Sequence, residues 1–147
     1  MKQILEFQGE NTWASNFWSV TICYKGLLFP CVENAYQAAK CDNEEDMRLF
    51  LYLTPGEAKR KGRTVNIRKD WEEVKVEVMH ELLRLKFQNP QMKKLLIATG
   101  DIFLQEGNMW HDIFWGVDLR TGKGANILGK LLMKVRDEVR GYDKEHS

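Results

Sequence analysis

The sequence predicts a mostly helical α+β fold with a few short strands, in a single domain over residues 1–147. Two patterns point that way. Capped or amphipathic helical segments outnumber the short apolar runs that suit strands. The strands also fail to alternate with helices regularly enough for a doubly wound parallel sheet. A domain of this length buries about 68–70% of the surface its unfolded chain exposes, so it needs no metal or disulfide to hold a core. No internal repeat or low-complexity stretch appears, and the three prolines are scattered, so no linker is marked.

Residues 4–7 form the first strand candidate and residues 20–24 the second. Lys25-Gly26 then turns the chain into residues 27–29, a small hairpin signal. Residues 32–40 read as helix, with three alanines and no breaker. Asp42 or Asn43 caps a further helix running to about residue 53. Thr54-Pro55-Gly56-Glu57 is a strong helix start, with Thr54 at the cap, Pro55 in first helical position and Glu57 completing a capping box. Gly62 ends that helix. Asp70 with Glu73 opens the longest helix, residues 71–87, whose Val74, Val78, Leu82 and Leu85 recur at helical spacing and face the core. Asn89-Pro90 starts another helix that stops at Thr99-Gly100. Residues 102–106 and 114–117 read as strands. Residues 126–139 close the domain as a helix with Ile127, Leu131 and Val135 inward.

Composition narrows the function classes. The net charge of +1 gives no global pull toward nucleic acid or an anionic membrane, so an anionic ligand needs a local patch. Cys23, Cys31 and Cys41 are odd in number and lack CxxC spacing, which suits a reduced cytosolic setting. The amino-terminal residues carry no apolar run of signal-peptide length, and no stretch reaches the roughly 18 apolar residues of a membrane helix. The expectation is a cytoplasmic protein with no membrane partner; the oligomeric state is not legible.

Several familiar motifs fail. Thr121-Gly122-Lys123-Gly124 invites a phosphate-loop reading, but Gly116 to Gly122 is one residue too long and Gly124 stands where Ser or Thr is required. The dinucleotide fingerprint fails because Gly129 follows at the wrong distance. His80, His111 and His146 lack ligand spacing, so no metal is expected, and no other cofactor is expected. There is no nucleophile elbow, and nothing argues for a Cys/His pair. The run Lys59, Arg60, Lys61, Arg63, with Arg68 and Lys69 nearby, is the densest positive cluster. It reads first as cations favoured at a helix C-terminus and second as a phosphate patch.

Three constellations remain. On a helix, Glu33, Tyr36, Gln37 and Lys40 share one face, with the alanines opposite; this is either a solvated ion-paired stripe or polar chemistry presented by a tightly packed helix. Trp13, Phe17 and Trp18 surround Ser15-Asn16 and carry too much aromatic area for all of it to be solvated. The segment 106–116 mixes Glu106 and Asp112 with Trp110, Phe114 and Trp115. An acid beside apolar rings is a recipe for a carboxyl group tuned toward neutrality; the plainer reading is an aromatic core strand with a capping Asp.

These constellations sit in a longer order: Trp-x-Ser-Asn-Phe at 13–17, Val-Glu-x-Ala-Tyr-Gln-Ala-x-Lys at 32–40, Pro-x-x-Ala-Lys-x-x-Gly-Arg at 55–63 and Asp-Trp-x-x-x-Lys-x-x-x-Met at 70–79. Thr-Gly-Asp at 99–101, Trp-x-Asp-x-x-Trp-Gly at 110–116 and Gly-x-Asn-x-Leu-Gly-x-x-Leu-Met-x-x-Arg at 124–136 complete it. Over nearly its whole length the chain resembles the NADAR, or YbiA-like, superfamily. Each motif is modest, but seven in order are highly specific. The resemblance implies a YbiA-like fold and an N-glycosidase. Its substrate would be either a phosphorylated ribosylaminopyrimidine of riboflavin biosynthesis or ADP-ribose attached to guanine in nucleic acid. Carried onto this sequence, the catalytic residues are Glu33, the principal carboxylate, Lys40, a pocket cation or imine-forming amine, and Asp112. Substrate-binding residues are Asn16, Phe17, Tyr36, Arg63 as the leading phosphate contact, Trp71, Lys75, Trp110, Trp115 and Asn126, which is expected near the phosphate or ribose. Asn34, Ala14 and Cys41 depart from the commoner family residues and bear on substrate preference. The competing class is a non-catalytic ADP-ribose or nucleotide-binding module. A third reading, nucleic-acid binding through the 59–69 cluster, predicts steep salt dependence.

Overall fold

The computed structural model describes the backbone of residues 3–146 and the side chains of residues 3–141. Met1, Lys2 and Ser147, at the ends of the expected domain, and the ring of His146 lie outside the described residues. The chain forms two compact units, Asn16–Lys86 and Met1–Ser15 with Phe87–Ser147. Among the described residues no helix is long and apolar enough to cross a membrane.

In the unit Asn16–Lys86, the expected hairpin forms from β2 (Ile22–Tyr24) and β3 (Leu27–Phe29), antiparallel with Ile22 opposite Phe29 and Tyr24 opposite Leu27. Lys25 and Gly26 take φ of 49° and 78°. Positive φ at both central residues is the two-residue turn whose twist matches that of the strands. Helix α1 (Val32–Ala39) packs against α2 (Glu44–Arg48), α3 (Pro55–Lys61) and α4 (Trp71–Lys86), and all eight of its residues are buried. Ala35, Ala38 and Ala39 are at most 2% exposed, and their small side chains let the neighbouring helices close in. A solvated stripe on α1 is therefore ruled out.

Helix α2 stops well before the expected residue 53. Beyond Arg48 the N–H groups of Phe50 and Leu51 turn back only three residues, to Met47 and Arg48. The carbonyls of Phe50 and Leu53 are claimed instead by the Asn34 side chain at 2.9 and 2.8 Å. Asn43 is the cap on α2, accepting from Asp46 N–H at 2.8 Å. The capping box on α3 is present: Thr54 Oγ1 accepts from Glu57 N–H at 3.2 Å and Glu57 returns the bond to Thr54 N–H at 2.9 Å. On α4 the core face is Trp71, Val78, Met79, Leu82, Leu83 and Lys86. Val78 and Leu82 fall as expected, but Val74 and Leu85 are half-buried because the face is rotated toward the Met79 side. Asp70 does not cap α4 through its side chain; both carboxylate oxygens go to Arg68 at 2.6 and 2.9 Å.

In the other unit, β1 (Gln3–Ile4) pairs in parallel with β4 (Phe103–Leu104), and β5 (Gly107–Asn108) with β6 (Val117–Asp118). Each is shorter than, or offset from, the strand expected at 4–7, 102–106 and 114–117. A 3-10 helix over Gly9–Ala14 brings buried Trp13 edge-on to Phe87, centroids 6.3 Å apart. Helix α5 (Pro90–Ala98), capped by Asn89, packs on α6 (Ile127–His146). Buried Arg136 of α6 donates to Thr99 Oγ1 and to Ile102 O at 2.9 and 2.8 Å, and Arg140 to Gly100 O at 3.0 Å. The Thr-Gly-Asp segment is thus a joint clamped by two arginines. Leu131 and Val135 face inward as expected, while Ile127 is half-buried.

Candidate active site

The polar face of α1 gathers in the unit Asn16–Lys86. Glu33 and Gln37 are 8% and 5% exposed. One helical turn apart, they meet: Gln37 Nε2 donates to Glu33 Oε1 at 3.0 Å. A carboxylate this buried is expensive unless hydrogen-bonded, and this contact meets part of that demand. The Glu33 backbone N–H donates to Asn16 O at 3.0 Å, which ties the 16–18 segment to the start of α1. Asn16 Nδ2 in turn rests on Met79 Sδ at 3.6 Å. Phe17 and Trp18 are 44% and 39% exposed while Trp13 is buried, so the aromatic cluster expected over 13–18 divides between core and surface.

Tyr36 and Trp71 form a buried tilted pair, centroids 5.1 Å apart, and Lys40 Nζ lies 5.9 Å from the Tyr36 ring centroid. Burial holds the Lys40 amine below its ordinary range. Glu33 and Cys41 pull the other way, and the cations Arg63 and Lys75 add to the lowering. The net direction settles the contest between Glu33 and the surroundings in favour of burial. Lys75 pairs with Glu72 at 2.5 Å. Arg63, just past α3, and Arg60, within it, are exposed, while Lys59 and Lys61 are half-buried. Arg63 and Lys75 thus both act on the Lys40 amine, as does Glu33.

Gly62 is glycine for space. It ends α3 as expected, but with a φ of −59°, ordinary right-handed backbone, so glycine is not required there by conformation. A Cβ there would sit 1.9 Å from Gln37 Oε1. Asn34, fully buried, turns away from chemistry: besides the Phe50 and Leu53 carbonyls it accepts from Cys31 Sγ at 3.2 Å. Burial pushes the Cys31 thiol up and the Cys41 thiol up to about 11, which disfavours the thiolate a nucleophile needs.

The remaining expected site residues lie in the other unit. Asp112 Oδ1 accepts from Phe114 N–H and Trp115 N–H at 3.1 and 3.0 Å, and Asn108 brackets Asp112 through its backbone N–H and carbonyl, both at 2.9 Å. One oxygen of Asp112 therefore shapes the 112–115 turn. Trp110 is 55% exposed, and Trp115 is half-buried with its ring edge-on to Phe114 at 4.9 Å. Asn126, at φ 51°, is buried and uses its amide internally: Oδ1 accepts from Glu106 N–H and Nδ2 donates to Leu104 O, both at 3.0 Å. The N–H groups of Ile127 and Leu128 are also taken, by the Phe114 and Trp115 carbonyls. The start of α6 is thus a stitch between segments of backbone.

Comparison with known proteins follows this division of labour. The model of the NADAR domain matches residues 6–140. The chain is 38% identical over 129 residues to N-glycosidase YbiA of Shigella boydii, 85% of this chain and 79% of that protein. It is 39% identical over 135 residues to a riboflavin biosynthesis protein of Vibrio vulnificus, covering 87% of this chain and 35% of that one. Against a chloroplastic riboflavin biosynthesis protein of Zea mays the identity is 38% over 129 residues, 78% of this chain and 20% of that one. The chain therefore spans about a third and a fifth of the length of those two longer proteins. The NMR structure of the E. coli protein YbiA matches with a TM-score of 0.86 at 34% identity, over 99% of this chain and 89% of that one. With the domain match running from the first strand region into the last helix, the chain belongs to the NADAR domain family.

Proposed function

We propose that this protein is an N-glycosidase that hydrolyses the ribosyl C–N bond of a phosphorylated, nucleotide-like substrate. The observation that carries the reading is the buried Glu33 carboxylate, hydrogen-bonded by Gln37 and flanked on the same helix face by Lys40, whose amine burial holds low. The name N-glycosidase borne by a relative that this chain covers for 79% of its length supports it. Breaking a ribosyl C–N bond builds positive charge on the sugar, and a carboxylate near the anomeric carbon stabilises that charge or takes a proton from the attacking water. Water oxygen bonds to the anomeric carbon, the C–N electron pair stays with nitrogen, and nitrogen gains a proton. Glu33 takes the first role, and the proton gained by nitrogen is supplied by the attacking water. Trp71 and Tyr36 provide ring surface for the base, with Asn16 and Phe17 as further contacts. Arg63 and Lys75 meet the phosphate. A lowered Lys40 pKa also enlarges the fraction of free amine available for imine formation with opened ribose.

The names of the Vibrio and maize relatives favour a phosphorylated ribosylaminopyrimidine as substrate. The exposed Arg60 and Arg63 favour the second reading, ADP-ribose on guanine in nucleic acid. The deciding test incubates the protein and its Glu33→Gln variant with each substrate and follows base release. Glu33-dependent release from one substrate fixes class and branch, with a loss of about 10²- to 10⁴-fold in the variant. Full activity of a folded Glu33→Gln variant sinks the assignment, and tight binding without release moves the chain to a binding module.

A further inference from the structure

We propose that Gln37 is a positioning residue for the Glu33 carboxylate, and that Gly62 is the gap in the fold that lets it act. The inference rests on the reading of Glu33 as the reacting carboxylate. Gln37 and Glu33 are adjacent on α1 and both buried, with Nε2 to Oε1 at 3.0 Å. A carboxylate only accepts, so it selects the NH₂ end of the amide. The amide oxygen must then face the other way, toward Gly62. There it is buried and makes no hydrogen bond among the described residues. It lies so close to the glycine that a Cβ would stand 1.9 Å from it, and 2.6 Å from the amide carbon.

A side chain kept only to fill space would be better apolar, because one of equal length fills the same volume without burying an unpartnered oxygen. What Gln37 gains over such a side chain is the N–H bond to Glu33. That bond does two things. It favours the ionised carboxylate, and it fixes the rotation of the carboxylate plane, so that the oxygen not held by Gln37 keeps one direction. A displacement of about 1 Å in a reacting group lowers rate by about 100-fold. Gly62 is a condition of this arrangement: it ends α3 in right-handed geometry open to any residue, and only its missing side chain admits the amide.

The test uses the full chain with whichever of the two substrates it turns over, alongside Glu33→Gln. Gln37→Met keeps the length and removes the N–H. It is expected to lower kcat by roughly 10- to 100-fold with KM little changed, and to move the acid limb of the pH profile of kcat/KM to higher pH, since the carboxylate loses a donor. Gly62→Ala, which drives the amide away, is expected to reproduce both effects. In a Gln37→Ala background, Gly62→Ala adds nothing, because no amide remains to displace. Gln37→Glu is the near-isosteric check should Gln37→Met fold poorly. A carboxyl group there donates only when protonated, so activity falls as pH rises where the parent protein's does not. A role confined to packing lowers thermal stability and leaves the pH limbs where they were. If the folded Gln37 and Gly62 variants keep the parent kcat and pH profile while Glu33→Gln is inactive, the positioning role is overturned and the glycosidase reading stands. If Glu33→Gln keeps full turnover, both fall together.

Discussion

Lys86, at the last turn of α4, is 0% exposed. Removal from water drives its amine down from 10.5 to about 7, with Cys31 pulling weakly the other way. The perturbation is Lys86→Met, which keeps the aliphatic stem and deletes the charge. Because the folded-state pKa lies below the unfolded one, the unfolded chain binds the extra proton between pH 7 and 10.5, and stability rises with pH across that window. Below pH 7 both states are protonated and the full penalty applies. At about 1.4 kcal/mol per pH unit, the fall from 10.5 to about 7 amounts to roughly 5 kcal/mol. Urea unfolding of both proteins at each pH from 6 to 10 measures it. The Cys31 thiol is coupled to Lys86, but this is the smallest contribution acting on it, so its own titration adds little to the difference. The stability of Lys86→Met relative to the parent is expected to be greatest near pH 6.5 and to fall by several kcal/mol toward pH 10. A stability difference that stays the same at every pH refutes the reasoning.

Other substitutions probe the joints that set the site. Asn34→Ala leaves the Phe50 and Leu53 carbonyls without their donors; at about 1–3 kcal/mol for each buried group it is expected to lose roughly 2–5 kcal/mol of unfolding free energy, read as a fall in urea midpoint. Asn126→Ala removes the bonds to Glu106 N–H and Leu104 O and places alanine at φ 51°. A loss of roughly 3–6 kcal/mol is expected, and a Tm unchanged from the parent contradicts the stitch assigned to it. Lys40, with its amine held low, is expected to react with acetic anhydride near neutral pH faster than Lys69, an exposed lysine; competitive labelling resolved by mass spectrometry settles it, and equal reactivity counts against the assigned environment.

Much of the fold is legible in residue order because its signals are local. The Thr54–Glu57 capping box, the Lys25-Gly26 turn, the Asn89-Pro90 start and the helical face of α1 each fall within a few residues of chain. Misreadings arise where a distant group decides. Helix α2 ends early because Asn34 claims carbonyls 16 and 19 residues away. Asp70 is drawn from its cap by Arg68. Gly62 does end its helix, but the reason it must be glycine, Gln37, lies 25 positions earlier and leaves no local trace. The site shows the same split. Helical periodicity puts Gln37 beside Glu33 and Lys40. No spacing rule reveals that Asn126 is occupied by Leu104 and Glu106, or that Asp112 braces the turn after it. Position in a motif marked these residues, while their bonding partners assign much of what they do.

A helix with no face toward water has an unusual consequence for change. Each of the eight side chains of α1 is enclosed, so none is free to vary for solubility or drift without touching a neighbour. The two carrying hydrogen-bonding chemistry in the site, Glu33 and Gln37, share the helix with Ala35, Ala38 and Ala39, which are at most 2% exposed and leave little room for anything larger. A change written into α1 therefore requires repacking, whereas exposed positions such as Phe17, Trp18 and Arg63 can be exchanged without disturbing a core. An engineer seeking altered specificity should randomise those positions and leave the buried helix as a fixed template.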